Sequence, residues 1–417
     1  MNLRQHVKLA IRKFKRLLEF MGYGLFDTVV LASLPKIRRR AGVTAVIQLE
    51  RLGDYFLWLP YGLALARDCR IRKERLVLVV NDAWAERIAA DFPGCTHYPI
   101  DVKRLLRDLR YRAKTLRLLR RLAVTETIQV IYPRATSITF DAVARALGGW
   151  TVGFDAVVPD RPWLDWVLSR RLYRQRLPAL PRVHQHARYR YLLRALEVRD
   201  IPGPGRLVLG SDFQPPLAPY FVIAPGASRA LRCWPPERFV ALGRLILDAH
   251  PSWGAVVVGT GSESHLGEAI ARALGPRAEN RTGGAGLGAF IREIAGARLV
   301  IGNDSAAGHI AAWHGIPSVI ALGGMDFGRC YPYDPQIAPV ARLPRPVWSP
   351  MDCFGCNGIC RYPVRSGQAA PCIDAVSVEA MWIAVEGALS GPSDLPLGRA
   401  SIGSIDPRVS TSDGLTR

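Results

Sequence analysis

The stretch that most constrains this chain is Arg298 to Gly324, RLVIGNDSAAGHIAAWHGIPSVIALGG. Leu299, Val300 and Ile301 form an apolar run, Gly302-Asn303-Asp304-Ser305 break it, and Ser318 to Leu322 form a second run. The pattern reads as strand, turn, helix, turn, strand, a βαβ unit that requires a parallel sheet. The helix between the runs is short and lined with small residues, Ala306, Ala307, Gly308, Ala311 and Ala312. Asp304 or Ser305 is placed to cap it, and the free N–H groups of its first turn, with the helix dipole, suit a phosphate.

The same residues carry a family likeness. Asn303-Asp304-Ser305, His309 five residues after the Asp, Ala311-Ala312, Gly315-Ile316-Pro317 and Leu322-Gly323 stand in an order that resembles the donor-binding signature of glycosyltransferase family 9. That is the heptosyltransferase family of lipopolysaccharide core synthesis. The resemblance implies the GT-B architecture, an α/β chain of two Rossmann-like domains with parallel sheets facing across a cleft. It also implies transfer of heptose from ADP-heptose with inversion, without a metal or other cofactor.

With 417 residues, 49% hydrophobic and 22% charged, the chain suits two globular domains, each able to bury a core. The surplus of 56 basic over 35 acidic residues, formally +21, points to an anionic partner. Residues 3 to 21 place Leu3, Val7, Ile11, Phe14, Leu18 and Met21 at helical spacing, with Arg4, Lys8, Arg12, Lys13, Lys15 and Arg16 largely on the other side. Such a basic amphipathic helix suits a membrane interface. Glu19 and Asp27 interrupt its apolar part, which argues against a secretory signal, and no uninterrupted apolar run of about 20 residues suggests a membrane span. The expected location is the cytoplasmic face of the bacterial inner membrane, with an anionic lipid-linked glycan as acceptor and no nucleic acid as partner.

After a basic N-terminal segment, residues 1–41, the first domain is expected over 42–200. Val43 to Leu49 reads as a buried strand, Glu50 to Asp54 as a tight turn, and Tyr55 to Arg67 as the next helix. Ligands of Rossmann-like domains meet the carboxyl ends of such strands. Asp54 could serve simply as a helix N-cap. Arg51-Leu52-Gly53-Asp54 followed by Leu59-Pro60 also resembles the family's opening motif, which implies that Asp54 is the general base for the acceptor hydroxyl. Asp101 to Leu122 reads as a basic helical stretch fit to face the acceptor or a membrane. His184 and His186 read as surface residues, without further ligands at a metal-binding spacing.

Residues 201–218, rich in Pro and Gly, read as the linker, and 219–390 as the donor domain. Pro225-Gly226-Ala227-Ser228 follows a strand, and its N–H groups, Ser228 included, could meet a phosphate. Arg232, two residues before Trp234-Pro235, stands where the family has a Lys that contacts the donor diphosphate; Arg keeps the charge and adds bidentate geometry. The resemblance further implies that Glu263 bonds the ribose, that Asp304 meets the nucleoside, and that Ser305, Ala306, Gly308 and the backbone before His309 meet the diphosphate. Ala306 departs from the family's usual Gly. The absence of a D-x-D motif after a strand agrees with metal-independent transfer.

Cys353-x2-Cys356-x3-Cys360 and then Cys372 could hold structural zinc, form disulfides or stay as free thiols. Val376 to Leu389 reads as a final helix, which in GT-B proteins crosses back to the first domain, and 391–417 as a disordered tail. Two other functions remain open: transfer of another nucleotide-activated sugar to O-antigen, capsule or a related glycan, and a non-catalytic basic protein that binds nucleic acid or glycan.

Overall fold

The computed structural model describes residues 3–34, 37–68, 75–131, 137–155, 171–178, 183–198, 218–284, 286–356, 358, 360–365 and 367–390. The expected linker, except for its last residue, and the expected tail lie outside them, as do residues 161–170 of the basic stretch that leads to His184.

Two six-stranded sheets organise the chain. The first contains β1 (Thr44–Gln48), β2 (Leu76–Asn81), β3 (Thr96–Ile100), β4 (Glu126–Gln129), β5 (Trp150–Asp155) and β6 (Gln175–Pro178), in the order β3-β2-β1-β4-β5-β6. The second contains β7 (Tyr220–Ala224), β8 (Gly254–Val257), β9 (Ala278–Asn280), β10 (Leu299–Asn303), β11 (Ser318–Ala321) and β12 (Arg345–Val347), in the order β12-β11-β10-β7-β8-β9. Read outward from the first strand of each half, the two orders are the same. Every pairing is parallel; Thr44 lies opposite both Leu76 and Glu126, and Val300 opposite both Val222 and Ser318. The central strands β1, β7 and β10 are buried along their whole length, because helices cover both faces of a parallel sheet.

In such a sheet the strand order reverses beside the first strand, and the crevice there receives ligands. Asp54 follows β1, Arg232 follows β7 and Asp304 follows β10, so both switch points carry charged residues at their carboxyl ends.

The helices differ from expectation in four places. The N-terminal helix α1 (Leu3–Ala32) runs 30 residues, well beyond Met21. The helix α2 (Leu52–Arg67) begins before Asp54, with Arg51 at the N-cap and no side-chain cap, so Asp54 sits in its first turn and is not the cap. The basic stretch splits into a single turn, Val102–Leu105, and α3 (Leu109–Arg121), because Asp101 and Asp108 each accept a backbone N–H and start a new helix. The last helix, Val378–Leu389, does not cross back: it packs on β11 and β12 and buries Met381 and Val385 in the second domain's own core.

Candidate active site

Helix α2 of the first domain packs against the small-residue helix Ala306–His314, which follows β10 in the second. Glycine makes this approach possible, since a Cβ on Gly53 would stand 3.2 Å from His309 Cδ2. The indole N–H of Trp313 donates to the Phe56 carbonyl at 3.0 Å and fixes the contact one turn further on. Asp54 is thereby set beside the start of the second domain's helix.

From Asp54 a chain of ion pairs runs into the loops that follow β7, β10 and β11. Arg329 Nη2 donates to Asp54 Oδ1 at 2.6 Å, and Gln185 Nε2 reaches the same oxygen at 3.4 Å. Arg329 Nη1 stands 3.4 Å from Asp326 Oδ1, and Asp326 Oδ2 stands 3.5 Å from Arg232 Nη1. Arg232 Nη2 pairs with the Asp304 carboxylate and donates to the Asp304 carbonyl at 2.9 Å. The sequence of contacts is therefore Asp54, Arg329, Asp326, Arg232, Asp304, and it spans both domains.

Burial sets the electrostatics of this chain. It opposes the charge on Arg232, yet Asp304 and Asp326 beside it hold the guanidinium above its ordinary range. Arg329 is raised in the same way, burial being outweighed by Cys330, Asp54 and Glu50. Burial also pushes Glu50 and Asp304 above the usual carboxyl range, against the pull of nearby arginines. His309 is brought down to about 3 by burial and is a neutral ring at working pH, its Nδ1 2.6 Å from the Tyr333 hydroxyl.

The other residues singled out from the sequence take varied places. Ser228 Oγ accepts from Arg232 at 3.4 Å. Glu263 closes a capping box on Thr260, whose N–H donates to it at 2.6 Å, and packs its carboxylate against Gly226. Ser305 is the N-cap of the helix Ala306–His314, but its side chain makes no cap bond. Ala306 lies at the Gly53 contact, whereas Gly308 faces inward, where a Cβ would meet the Tyr331 hydroxyl and Ile320. Asn303 is wholly buried and ties the loops together, accepting the Trp234 N–H at 2.8 Å and donating to the Pro225 carbonyl at 2.6 Å.

His184 and His186 are not surface residues. The helix Gln185–Ala195 inserts its N-terminus between the domains: the Gln185 N–H donates to the Arg329 carbonyl at 2.9 Å, and His184 Nε2 lies 2.8 Å from the Cys330 carbonyl. His186 is fully buried among Tyr61, His184 and Tyr333. Asp326 and Arg329 were missed from sequence, although an Asp and an Arg three apart after β11 were the available signal.

Cys353, Cys356, Cys360 and Cys372 line one cavity with Arg232 and Asp304. None of the four forms a disulfide, and Gly324 N–H donates to Cys372 Sγ at 3.3 Å. Among the described residues no three His, Cys, Asp or Glu side chains are grouped as metal ligands.

Residues 209–345 match the family model of glycosyltransferase family 9 (heptosyltransferase). No curated protein matches the sequence. Among solved structures, a family 9 glycosyltransferase from Veillonella parvula superposes with a TM-score of 0.64 at 15% identity, covering 86% of this chain and 99% of its own. The Escherichia coli heptosyltransferase WaaC, solved with ADP-2-deoxy-2-fluoro heptose, gives 0.59 at 16% identity, covering 82% and 99%. The iron-containing dodecameric heptosyltransferase TibC of E. coli, solved with ADP-D-beta-D-heptose, gives 0.52 at 14%, covering 85% and 78%. Two parallel sheets of one strand order, meeting at their switch points, are the GT-B fold of these proteins. Residues 209–345 are a glycosyltransferase family 9 domain, and the chain that carries them is a glycosyltransferase.

Proposed function

We propose that the chain moves heptose from ADP-heptose to a lipopolysaccharide core-type acceptor at the cytoplasmic face of the inner membrane, with inversion at the anomeric carbon. The carrying observation is the ion-pair chain from Asp54 to Asp304, which links the first domain's switch point to the donor loops. Asp54 takes the proton of the acceptor hydroxyl; that oxygen bonds to the anomeric carbon while the bond to the diphosphate oxygen breaks, and ADP leaves with the electron pair. One base on the face opposite the leaving group suffices for inversion. Charge that grows on the diphosphate is met by Arg232 and by the first-turn N–H groups of the helix Ala306–His314. An arriving diphosphate competes with Asp304 and Asp326 for Arg232, while Arg329 keeps Asp54 in place.

The reading is tested by titrating ADP, UDP and GDP calorimetrically, then assaying ADP-heptose turnover on a deacylated core acceptor by mass spectrometry. ADP is expected to bind in preference to the other two, and Asp304→Ala to weaken it. Asp54→Asn is expected to keep ADP affinity and lower turnover by about a thousandfold or more. Preference for UDP or GDP overturns the donor, and an Asp54→Asn variant with full activity overturns the base.

A further inference from the structure

Helix α1 has two faces with different fates. Its C-terminal turns dock on the first domain: Asp27 accepts from Arg112 Nε at 2.6 Å and Nη2 at 2.5 Å, with both side chains wholly buried, and the Tyr23 hydroxyl donates to the Leu106 carbonyl at 2.6 Å. Val30 enters the core on the same side. On the opposite side Val7, Ile11, Phe14, Leu18, Met21, Leu25 and Val29 recur every three or four residues and are 49–70% exposed. The stripe is continuous over more than six turns, about 33 Å of helix.

The spacing alone would also fit a coiled-coil seam with a second copy. Charge decides between the two partners. The first five turns carry Arg4, Lys8, Arg12, Lys13, Lys15 and Arg16 against Glu19 alone, and a second such helix would set like charges together. The segment on which α1 docks is basic too: Lys103, Arg104, Arg107, Arg110, Lys114, Arg117 and Arg121 are exposed. A cavity of about 470 Å³ opens there, lined by Arg104, Arg110 and Lys114 against the single carboxylate of Asp108, with Tyr98 and Tyr111. No helix among the described residues is long and apolar enough to cross a membrane.

We infer that α1 lies in the interface of an anionic bilayer, its stripe among the acyl chains and the basic segment over Val102–Arg121 against the headgroups, with Asp27–Arg112 fastening helix to domain. Apolar burial and headgroup attraction then act on one rigid unit. The inference is independent of the sugar transferred.

The test is flotation of the full chain with vesicles of phosphatidylcholine alone or with about 30% phosphatidylglycerol, at about 0.15 M and about 0.5 M salt. Binding is expected on the anionic vesicles, weaker at the higher salt. The double variant Ile11→Asp, Phe14→Asp is expected to bind at least about tenfold more weakly, with its circular dichroism and ADP affinity unchanged. Failure of the wild type to float with anionic vesicles overturns the inference, as does a double variant that floats equally well. Conversion of a dimer into a monomer by that variant, with flotation unchanged, would assign the stripe to a second copy instead.

Discussion

At the scale of single residues, the position to test is Arg329. It is 17% exposed, touches Asp54 and Asp326 at once, and keeps the carboxylate of α2 aimed along the ion-pair chain. Replacing Arg329 by Gln removes a cation that touches the buried Asp54, a loss of about 3–5 kcal/mol in unfolding free energy. Under the proposed reaction Asp54 is the base, and small displacements of such a group are costly, so turnover should also fall about a hundredfold while ADP affinity changes little. Urea titration and the two assays separate these effects; a variant as stable and active as wild type would remove Arg329 from the site. Asp54, Arg232 and Asp304 are legible in the sequence because each stands in a stretch that resembles a family motif and follows a strand. Arg329 is not, since its partner lies 275 residues away and only the meeting of two domains joins them. His184 and His186 look solvated in the sequence for the same reason: the polar stretch His184-Gln185-His186 is buried only where the other domain covers it.

At the scale of elements, α1 shows how local pattern and tertiary contact divide the work. Its first part was legible as an amphipath to Met21, but Gly22, Gly24 and Asp27 break the apolar run, and helix propensity alone would end it there. Docking of Tyr23, Asp27 and Val30 carries it to Ala32. The acid that interrupts the apolar pattern is the one that anchors the helix. Asp27→Asn should therefore cost about 3–5 kcal/mol, because the wholly buried Arg112 would lose its counter-charge and keep neutral partners such as the Leu105 carbonyl, the Thr139 hydroxyl and the Tyr23 ring. Chemical denaturation checks the magnitude; a change within about 0.5 kcal/mol would mean that the pair contributes no more than a surface ion pair. Among the strands, the apolar runs Val43 to Leu49 and Ser318 to Leu322 lie within one residue of β1 and β11 at each end, whereas short, partly exposed strands such as β3, β9 and β12 carry no apolar run that marks them.

At the scale of the whole molecule, the two halves are joined by a pile of rings. His309 stacks on Tyr331 with centroids 4.7 Å apart, and His184 and His186 meet Tyr333 edge-on. Burial lowers His184 to about 4 and His186 well below its ordinary value. A histidine lowered in the folded state resists protonation that the unfolded chain accepts, so its contribution falls as pH drops from about 6.5 towards the folded value. Glu50 and Asp304, raised by burial, act in the opposite direction, so the acid limb of the whole chain is a sum. His186→Phe isolates one part of it. Neither ring nitrogen of His186 has a hydrogen-bond partner, so the apolar ring should be tolerated at neutral pH. Its advantage over wild type should grow by about 2 kcal/mol between about pH 7 and pH 5, as measured by urea midpoints at each pH. An advantage that does not change with pH would show that the imidazole is charged in the native interface.

The repeated strand order has a consequence for descent. Each half presents its own set of loops at an equivalent edge, and Arg232 and Asp304 belong to the second half while Asp54 and the basic segment belong to the first. Under the proposed reaction, lineages can exchange the recipient of the sugar by altering only the opening half of the gene, without disturbing the nucleotide specificity encoded in the other. Diversity among such proteins should therefore accumulate unequally, fastest in the part that meets the polymer under construction and slowest in the part that meets a shared metabolite.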